Sequence, residues 1–384
     1  TPREHHEAWV SFFTEYFAER ARRGFLLENG SPTYMKVTVS YILLAHTFCG
    51  DADLKRQIGM FLDLFWADWA VQQVGGLLGG PKTRHHHTVG GYDAMSNWAR
   101  FYLGGPGCTE FNYSQQLIGD YEFPRIIWEL VTDHASRGSF AYVSRGVGEE
   151  EPTLPRPAGT ERTMLGDTES RIVRYSWVTP DYVLGTQMDY PLAVHNHLSA
   201  HGRWQGLVTA VPDARVVMVS LEPFPGKTAK SGEYSMELMY HSVQHRQVLV
   251  TQQARRWAQI NPDWFPTYEH IYDVPVGIWV GTGWQTVEER DRWVFLERDD
   301  TFVAIRPIRC RQDADPMAFA RGTDKYRGRM VEHDDAYRWN DSRTIIVLQA
   351  RFSPVVIEAG LRSDHGDLAT FERRVLANRF ELHR

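Results

Sequence analysis

The stretch Gly146–Arg162, GVGEEEPTLPRPAGTER, divides this chain by composition and by period. It carries glycine, proline and glutamate with no apolar repeat, the make-up of a linker or an exposed crossing, which we extend over 146–166. Upstream of it, apolar residues recur every three to four positions. Downstream, short runs rich in β-branched and aromatic residues alternate with turn residues. Helices followed by strands make two layers of different class, not a parallel βαβ sheet. The expected fold is therefore α+β and multidomain. Residues 1–145 form a helical domain, 146–166 the linker, and 167–384 an antiparallel strand domain closed by a helix at about 366–379.

In the helical part, Trp9, Phe12, Phe13, Tyr16 and Phe17 recur at helical spacing, and Arg20, Arg22 and Arg23 crowd the last turn, as the helix dipole prefers. A second helix is predicted over 32–48, a third over 53–74 with Ile58, Phe61, Leu62, Phe65 and Trp69 on one side, and weaker ones over 92–103 and 122–135. The connection Glu28-Asn29-Gly30-Ser31-Pro32-Thr33-Tyr34 opens the second helix: Ser31 suits the cap and Pro32 the first helical position. Tyr34 then lies in the first turn, near unpaired backbone N–H groups and the positive end of the dipole. Two readings stay open for it. It could start a buried stripe of Tyr34, Val37, Tyr41, Leu44 and Phe48, or it could enter a site.

Strands are expected at 167–178, 182–189, 203–211, 214–221, 234–257, 276–281, 293–298, 301–309 and 343–352, with a hairpin turning at Asp299-Asp300. The 384 residues are 42% hydrophobic and 23% charged, enough for two domains with real cores. A net charge of -6 gives no basic field for nucleic acid, and no apolar run approaches the roughly 18 residues of a membrane span. Thirteen Trp, 17 Tyr and 19 Phe permit sugar stacking as well as core packing. The three cysteines, Cys49, Cys108 and Cys310, have neither metal nor disulfide spacing. No signal peptide is visible in this sequence, and a secretion signal could have been lost from it. A helix begins almost at once after Thr1-Pro2, so the start is read as a processed or truncated end.

Three clusters could carry chemistry. In the sheet part, His195-Asn196-His197-Leu198-Ser199-Ala200-His201-Gly202-Arg203-Trp204 lies between two strands. His195 and His197 would share a face about 7 Å apart, a spacing for two metal ligands or for one histidine facing a substrate. In the helical part, Gly75 to Gly91 breaks the helical pattern and carries Lys82, Arg84, His85, His86 and His87, with Arg84 a candidate carboxylate clamp. Both could equally be solvated loops. His241 and His245 would stand about 13 Å apart along a strand, too far to share a metal. Asp299-Asp300 and Asp334-Asp335 read as turns. Nucleotide, serine-hydrolase and zinc-finger motifs are absent.

The Asn29–Tyr34 helix start, the Gly79-Gly80-Pro81-Lys82-Thr83-Arg84 loop and the His195–Gly206 segment, in that order, resemble the heparinase II/III-like and alginate-lyase-like polysaccharide lyases. That resemblance implies a partial (α/α) toroid of antiparallel helices followed by an antiparallel β-sandwich. It implies catalytic roles for Tyr34 and His197, with His85 and His87 in support, and substrate contacts from Asn29, Arg84, Arg203 and Trp204. His195 is the one candidate metal ligand. No cofactor is required, although a divalent ion such as Zn or Ca could be held. The partner implied is a poly- or oligosaccharide, not nucleic acid or membrane. The helices are too few for a full toroid, so an N-terminal segment or a second copy of the chain is expected to cover an apolar face. A glycoside hydrolase on the same scaffold and a non-catalytic glycan-binding protein are the alternatives.

Overall fold

The computed structural model describes residues 1–23, 30–31, 34–82, 94–103, 116, 118–145, 173–188, 204–221, 240–253, 275–310, 332–350 and 353–378. Among these the helices are α1 (Pro2–Arg23), α2 (Tyr34–Phe48), α3 (Ala52–Val71), α4 (Ala94–Tyr102), α5 (Arg125–Thr132), α6 (His134–Arg137), α7 (Arg362–His365) and α8 (Leu368–Leu376). The expected starts hold. The Ser31 hydroxyl accepts from the Tyr34 N–H at 3.3 Å, and Asp51 caps α3 by accepting from Leu54 N–H at 2.8 Å. Helix α3 is central. It buries Ile58, Phe61, Leu62, Phe65, Trp66 and Trp69, and Phe17 of α1 meets Phe61 with ring centroids 5.2 Å apart. No helix among the described residues is long and apolar enough to cross a membrane.

The strands, in chain order, are β1 (Gln73–Val74), β2 (Leu77–Leu78), β3 (Phe140–Arg145), β4 (Val173–Val178), β5 (Tyr182–Met188), β6 (Gly206–Thr209), β7 (Arg215–Ser220), β8 (Tyr240–His245), β9 (Val248–Gln253), β10 (Val276–Trp279), β11 (Thr286–Arg290), β12 (Trp293–Arg298), β13 (Thr301–Pro307), β14 (Arg309–Cys310), β15 (Glu332–His333), β16 (Tyr337–Trp339), β17 (Ile345–Leu348) and β18 (Val355–Leu361). An eight-stranded sheet runs β16-β17-β10-β7-β6-β5-β4-β3 and a six-stranded sheet β11-β12-β13-β18-β9-β8, both antiparallel throughout. They share one apolar core, with Leu184, Leu207, Val216 and Ile278 from the first and Leu249, Leu296, Ile305 and Ile357 from the second. Within that core Gln205 links the sheets. Its carbonyl oxygen accepts from Thr186 and Ser242, and its amide donates to Thr251, each at 2.6 Å. Such a satisfied network fixes how one sheet lies on the other. Helix α8 covers the outer face of the six-stranded sheet through Phe371 and Val375.

The other face of the eight-stranded sheet meets the helices through a strap that follows α3. Gly75 and Gly76, at φ 58° and 78°, turn the β1–β2 hairpin, the left-handed pair that a tight hairpin requires. Gly79 N–H then bonds back to the Gln72 carbonyl at 2.9 Å. The strap lies so close to the sheet that a Cβ on Gly185 would come within 2.4 Å of the Gly80 Cα, and one on Gly79 within 2.4 Å of the Val183 Cβ. Val74, Val183, Trp204, Val208 and Val217 fill the seam beside it.

Four expectations change. The run expected as one strand over 234–257 holds two, β8 and β9, paired antiparallel, and the fully buried β18 was not among the expected strands. The stripe Tyr34, Val37, Tyr41, Leu44 and Phe48 does not face the core: Val37, Tyr41 and Phe48 are exposed, and α2 buries Met35, Val39, Ile42 and Leu43 instead. Helix α2 is apolar on both sides, so periodicity alone could not choose between them. The helical segment also ends sooner than 145. Phe140–Arg145 is already the edge strand of the larger sheet, paired to β4, and Gly138 at φ 62° makes the turn into it. Trp9, Phe12, Met60 and Leu64 are exposed as well.

The close strap contact predicts that Gly185→Ala weakens the union of helices and sheet. A urea titration should show a loss of about 1–3 kcal/mol, the usual cost of overpacking, and an unchanged midpoint would mean that the strap moves aside freely.

Candidate functional site

Helix α3 turns one carboxylate inward. Phe61, Phe65, Asp68 and Gln72 follow one another at helical spacing on its buried face, and Asp68 is 7% exposed. Beside Asp68 a small cavity of about 20 Å3 opens at the seam, lined by Gly30, Met35, Phe65, Trp69, Gln72 and Met95 among others. That leaves room for about one water molecule and lies far below the roughly 300–1,000 Å3 of ligand pockets.

The carboxylate is held from two sides. Tyr142 of β3 donates its hydroxyl to Asp68 Oδ1 at 2.5 Å, and Gln72 donates its amide to Oδ2 at 3.3 Å. The Gln72 carbonyl oxygen in turn accepts from the Ser176 hydroxyl at 3.0 Å. Burial, and after it the negative charge and hydrogen bond of Asp68, push the Tyr142 phenol far above its ordinary range. The sheet continues this polar patch in two rows. Tyr142 lies opposite Ser176 and Ser176 opposite Gly185; Ser144 lies opposite Arg174 and Arg174 opposite Gln187. Residues two apart on a strand share a face, so both rows face the helices. Gly80 is required where it stands: at φ 73°, a Cβ there would come within 2.5 Å of Gln72 Oε1 and 2.6 Å of Ser176 Oγ.

The two segments expected to carry the chemistry meet at their ends. Lys82 and Trp204 pair backbone to backbone, Trp204 N–H to Lys82 O at 2.9 Å and Lys82 N–H to Trp204 O at 3.3 Å. Asn29, Arg84, His85, His87, His195, His197 and Arg203 lie outside the described residues. Tyr34 is half-buried in the first turn of α2, and its neighbour Met35 lines the cavity. Trp204, expected to contact substrate, is fully buried, and the Lys82 ammonium stands 3.6 Å from its ring centroid. In this structure the ring is a cation–π and core element rather than an open stacking face. His241 and His245 both lie on the strand β8, as expected. Asp299 and Asp300 form the turn between β12 and β13. Among the described residues no group of three or more His, Cys, Asp and Glu side chains could hold a metal ion.

Asp68, Gln72, Tyr142 and Ser176 were not singled out from sequence. A carboxylate and an amide on the same helical face as Phe61 and Phe65 was the available signal for the first two. Tyr142 and Ser176 become visible only once β3 is paired to β4. The chain matches no protein-family model, no curated protein and no solved structure.

A second network braces the strap. His134 Nε2 lies 2.6 Å from the Val131 carbonyl, and the Arg137 guanidinium lies 3.0 Å from His134 Nδ1. Arg137 also donates to the Ala70 carbonyl at 3.0 Å. Burial first, then the charge of Arg137, lower the His134 pKa below its ordinary value. A histidine lowered on folding adds stability above its unfolded pKa of about 6.5 and loses it as pH falls below that value.

Two measurements follow. Tyr142→Phe removes one donor from a buried carboxylate and should cost about 1.5–3 kcal/mol in denaturant unfolding; a loss below about 0.5 kcal/mol would show that the bond contributes little. His134→Gln should reduce the fall in unfolding midpoint between about pH 7 and pH 5, and an identical slope in the variant would remove His134 as its source.

Proposed function

We propose that this chain is a carbohydrate-active enzyme that cleaves a uronic-acid-containing poly- or oligosaccharide by β-elimination. Its helical layer is read as part of an (α/α) toroid and its two sheets as a β-sandwich. The observation that supports the reading is the Lys82–Trp204 backbone pairing, which joins the residue two before Arg84 to the residue that follows Arg203. In β-elimination a base takes the C5 proton of the uronate, the C4–O bond breaks, and the leaving oxygen is protonated. The C5 proton becomes acidic when a cation or amide neutralises the adjacent carboxylate. Arg84 or Asn29 would serve that purpose. Tyr34, at a helix start, and His197 would share the proton transfers, with His85 and His87 in support. The reading needs no metal; His195 would be the ligand if one were held.

Hydrolysis on the same scaffold would require two carboxyl groups about 5–9.5 Å apart across the bond. Among the described residues lining the cavity there is one, Asp68.

Incubation with uronate polysaccharides separates the readings. Elimination yields an unsaturated product that absorbs in the ultraviolet, hydrolysis yields reducing ends without that absorbance, and a binding protein yields neither. Tyr34→Phe should lower the rate of absorbance gain at least about 100-fold while the unfolding midpoint stays within error. Undiminished turnover in that variant would remove Tyr34 from the chemistry.

A further inference from the structure

Helix α2 carries two apolar rows. Met35, Val39, Ile42 and Leu43 face the helical core, and Val37, Tyr41, Leu44 and Phe48 line the opposite side at helical spacing. In that second row Val37, Tyr41 and Phe48 are 47%, 68% and 72% exposed, with Leu44 half-buried between them. Single exposed apolar residues are ordinary, but a row aligned along a whole helix marks a contact surface. We infer that this row is a self-association surface: the α2 helices of two copies of this chain lie against each other antiparallel, about a two-fold axis between Tyr41 and Leu44.

Three observations choose a second copy as the occupant. The row is spaced four, three and four residues apart, so it reads the same in both directions. Paired antiparallel, Val37 of one copy meets Phe48 of the other and Tyr41 meets Leu44, a smaller side chain beside a larger one at each level, and every contact occurs twice. The flanking polar side chains demand little from water. Thr38, Ser40 and Thr47 donate their hydroxyls to the Tyr34, Lys36 and Leu43 carbonyls of their own helix at 3.1, 2.8 and 2.9 Å, so covering them strands no hydroxyl donor. The charge is also complementary. Lys36 is the one formally charged side chain of α2 and stands in its first turn, the positive end of the dipole, where a cation is disfavoured. Antiparallel pairing moves it to the C-terminal end of the other α2, beside carbonyls that lack helical partners and ahead of Asp51 and Asp53. A helix of 15 residues is roughly 22 Å long. One such pair is a small interface, so the dimer is a weak one that dissociates on dilution.

The test is the oligomeric state of the full chain, followed by sedimentation velocity from about 1 µM upward. Wild type should pass from monomer to dimer as concentration rises. Tyr41→Asp places a carboxylate on each side of the axis and should raise the dissociation constant at least about tenfold. The unfolding midpoint of the dilute protein should not move, because Tyr41 is exposed in the single chain. Mixing fixes the register. Val37→Asp and Phe48→Lys should each weaken self-association, and an equimolar mixture of the two should restore dimers. In the mixed dimer the new carboxylate of one chain faces the new ammonium of the other, while the unaltered Phe48 and Val37 still meet. If Tyr41→Asp does not fold, the mixed pair carries the test alone. Wild type that stays monomeric, as when another segment of the chain or a different protein covers α2, would overturn the assignment. So would a dimer untouched by Tyr41→Asp, or a mixture no more dimeric than its components. No substrate enters the measurement, so its outcome is independent of whether this chain eliminates, hydrolyses or only binds glycans.

Discussion

Everything about the seam depends on how closely two stretches of backbone approach. The strap Gly79-Gly80-Pro81 lies on Val183 and Gly185 with no room for a side chain between them. Because the backbones touch, Gln72 can reach Ser176, Asp68 can reach Tyr142, and Lys82 can pair with Trp204. A larger separation would leave Asp68 as a buried charge without its donors, an arrangement that costs more than the hydrogen bonds gain. The glycines therefore do not merely allow a turn. They set the distance at which a charged group can be buried between helix and sheet.

The same economy of contact recurs between the two sheets. Gln205 sits one residue before β6 and next to Trp204, so one dipeptide faces both seams: Trp204 towards the helices and Gln205 into the sheet–sheet core. Alternation along an extended chain imposes this division. A shift of one residue in this strand would exchange the two, placing an amide against valines and an indole among hydroxyls. The polar link inside the sheets and the apolar seam outside them thus specify a single register together.

Much of the architecture is legible in the residues. The central helix, its buried Ile58–Trp69 stripe, the Ser31 cap, the hairpin at Asp299-Asp300 and most strands are local patterns, and local patterns are what sequence carries. The strand β3 was hidden because Phe140–Arg145 lies among helices and pairs only across the linker. Strand β11, with Glu288, Glu289 and Arg290, was hidden because its side chains are largely solvated and leave no apolar signature. Helix α2 misled through symmetry, since both of its faces are apolar. The candidate site was half visible. The segments that stood out by histidine and arginine content lie outside the described residues, while the polar patch joins α3 to β3 and β4, elements far apart in the chain.

That separation bears on the order of assembly. Helices α1, α2 and α3 make contacts with near neighbours in sequence, which close quickly. The strap cannot dock until β4, β5 and β6 are side by side, because Val183, Gly185 and Trp204 make up its bed. The loop that this docking closes spans the whole linker, and its entropy must be lost before the contact returns anything. On this topology the seam is expected to be the last surface completed, so a nascent chain would carry its helical layer, with Asp68 still in water, until the sheet behind it exists.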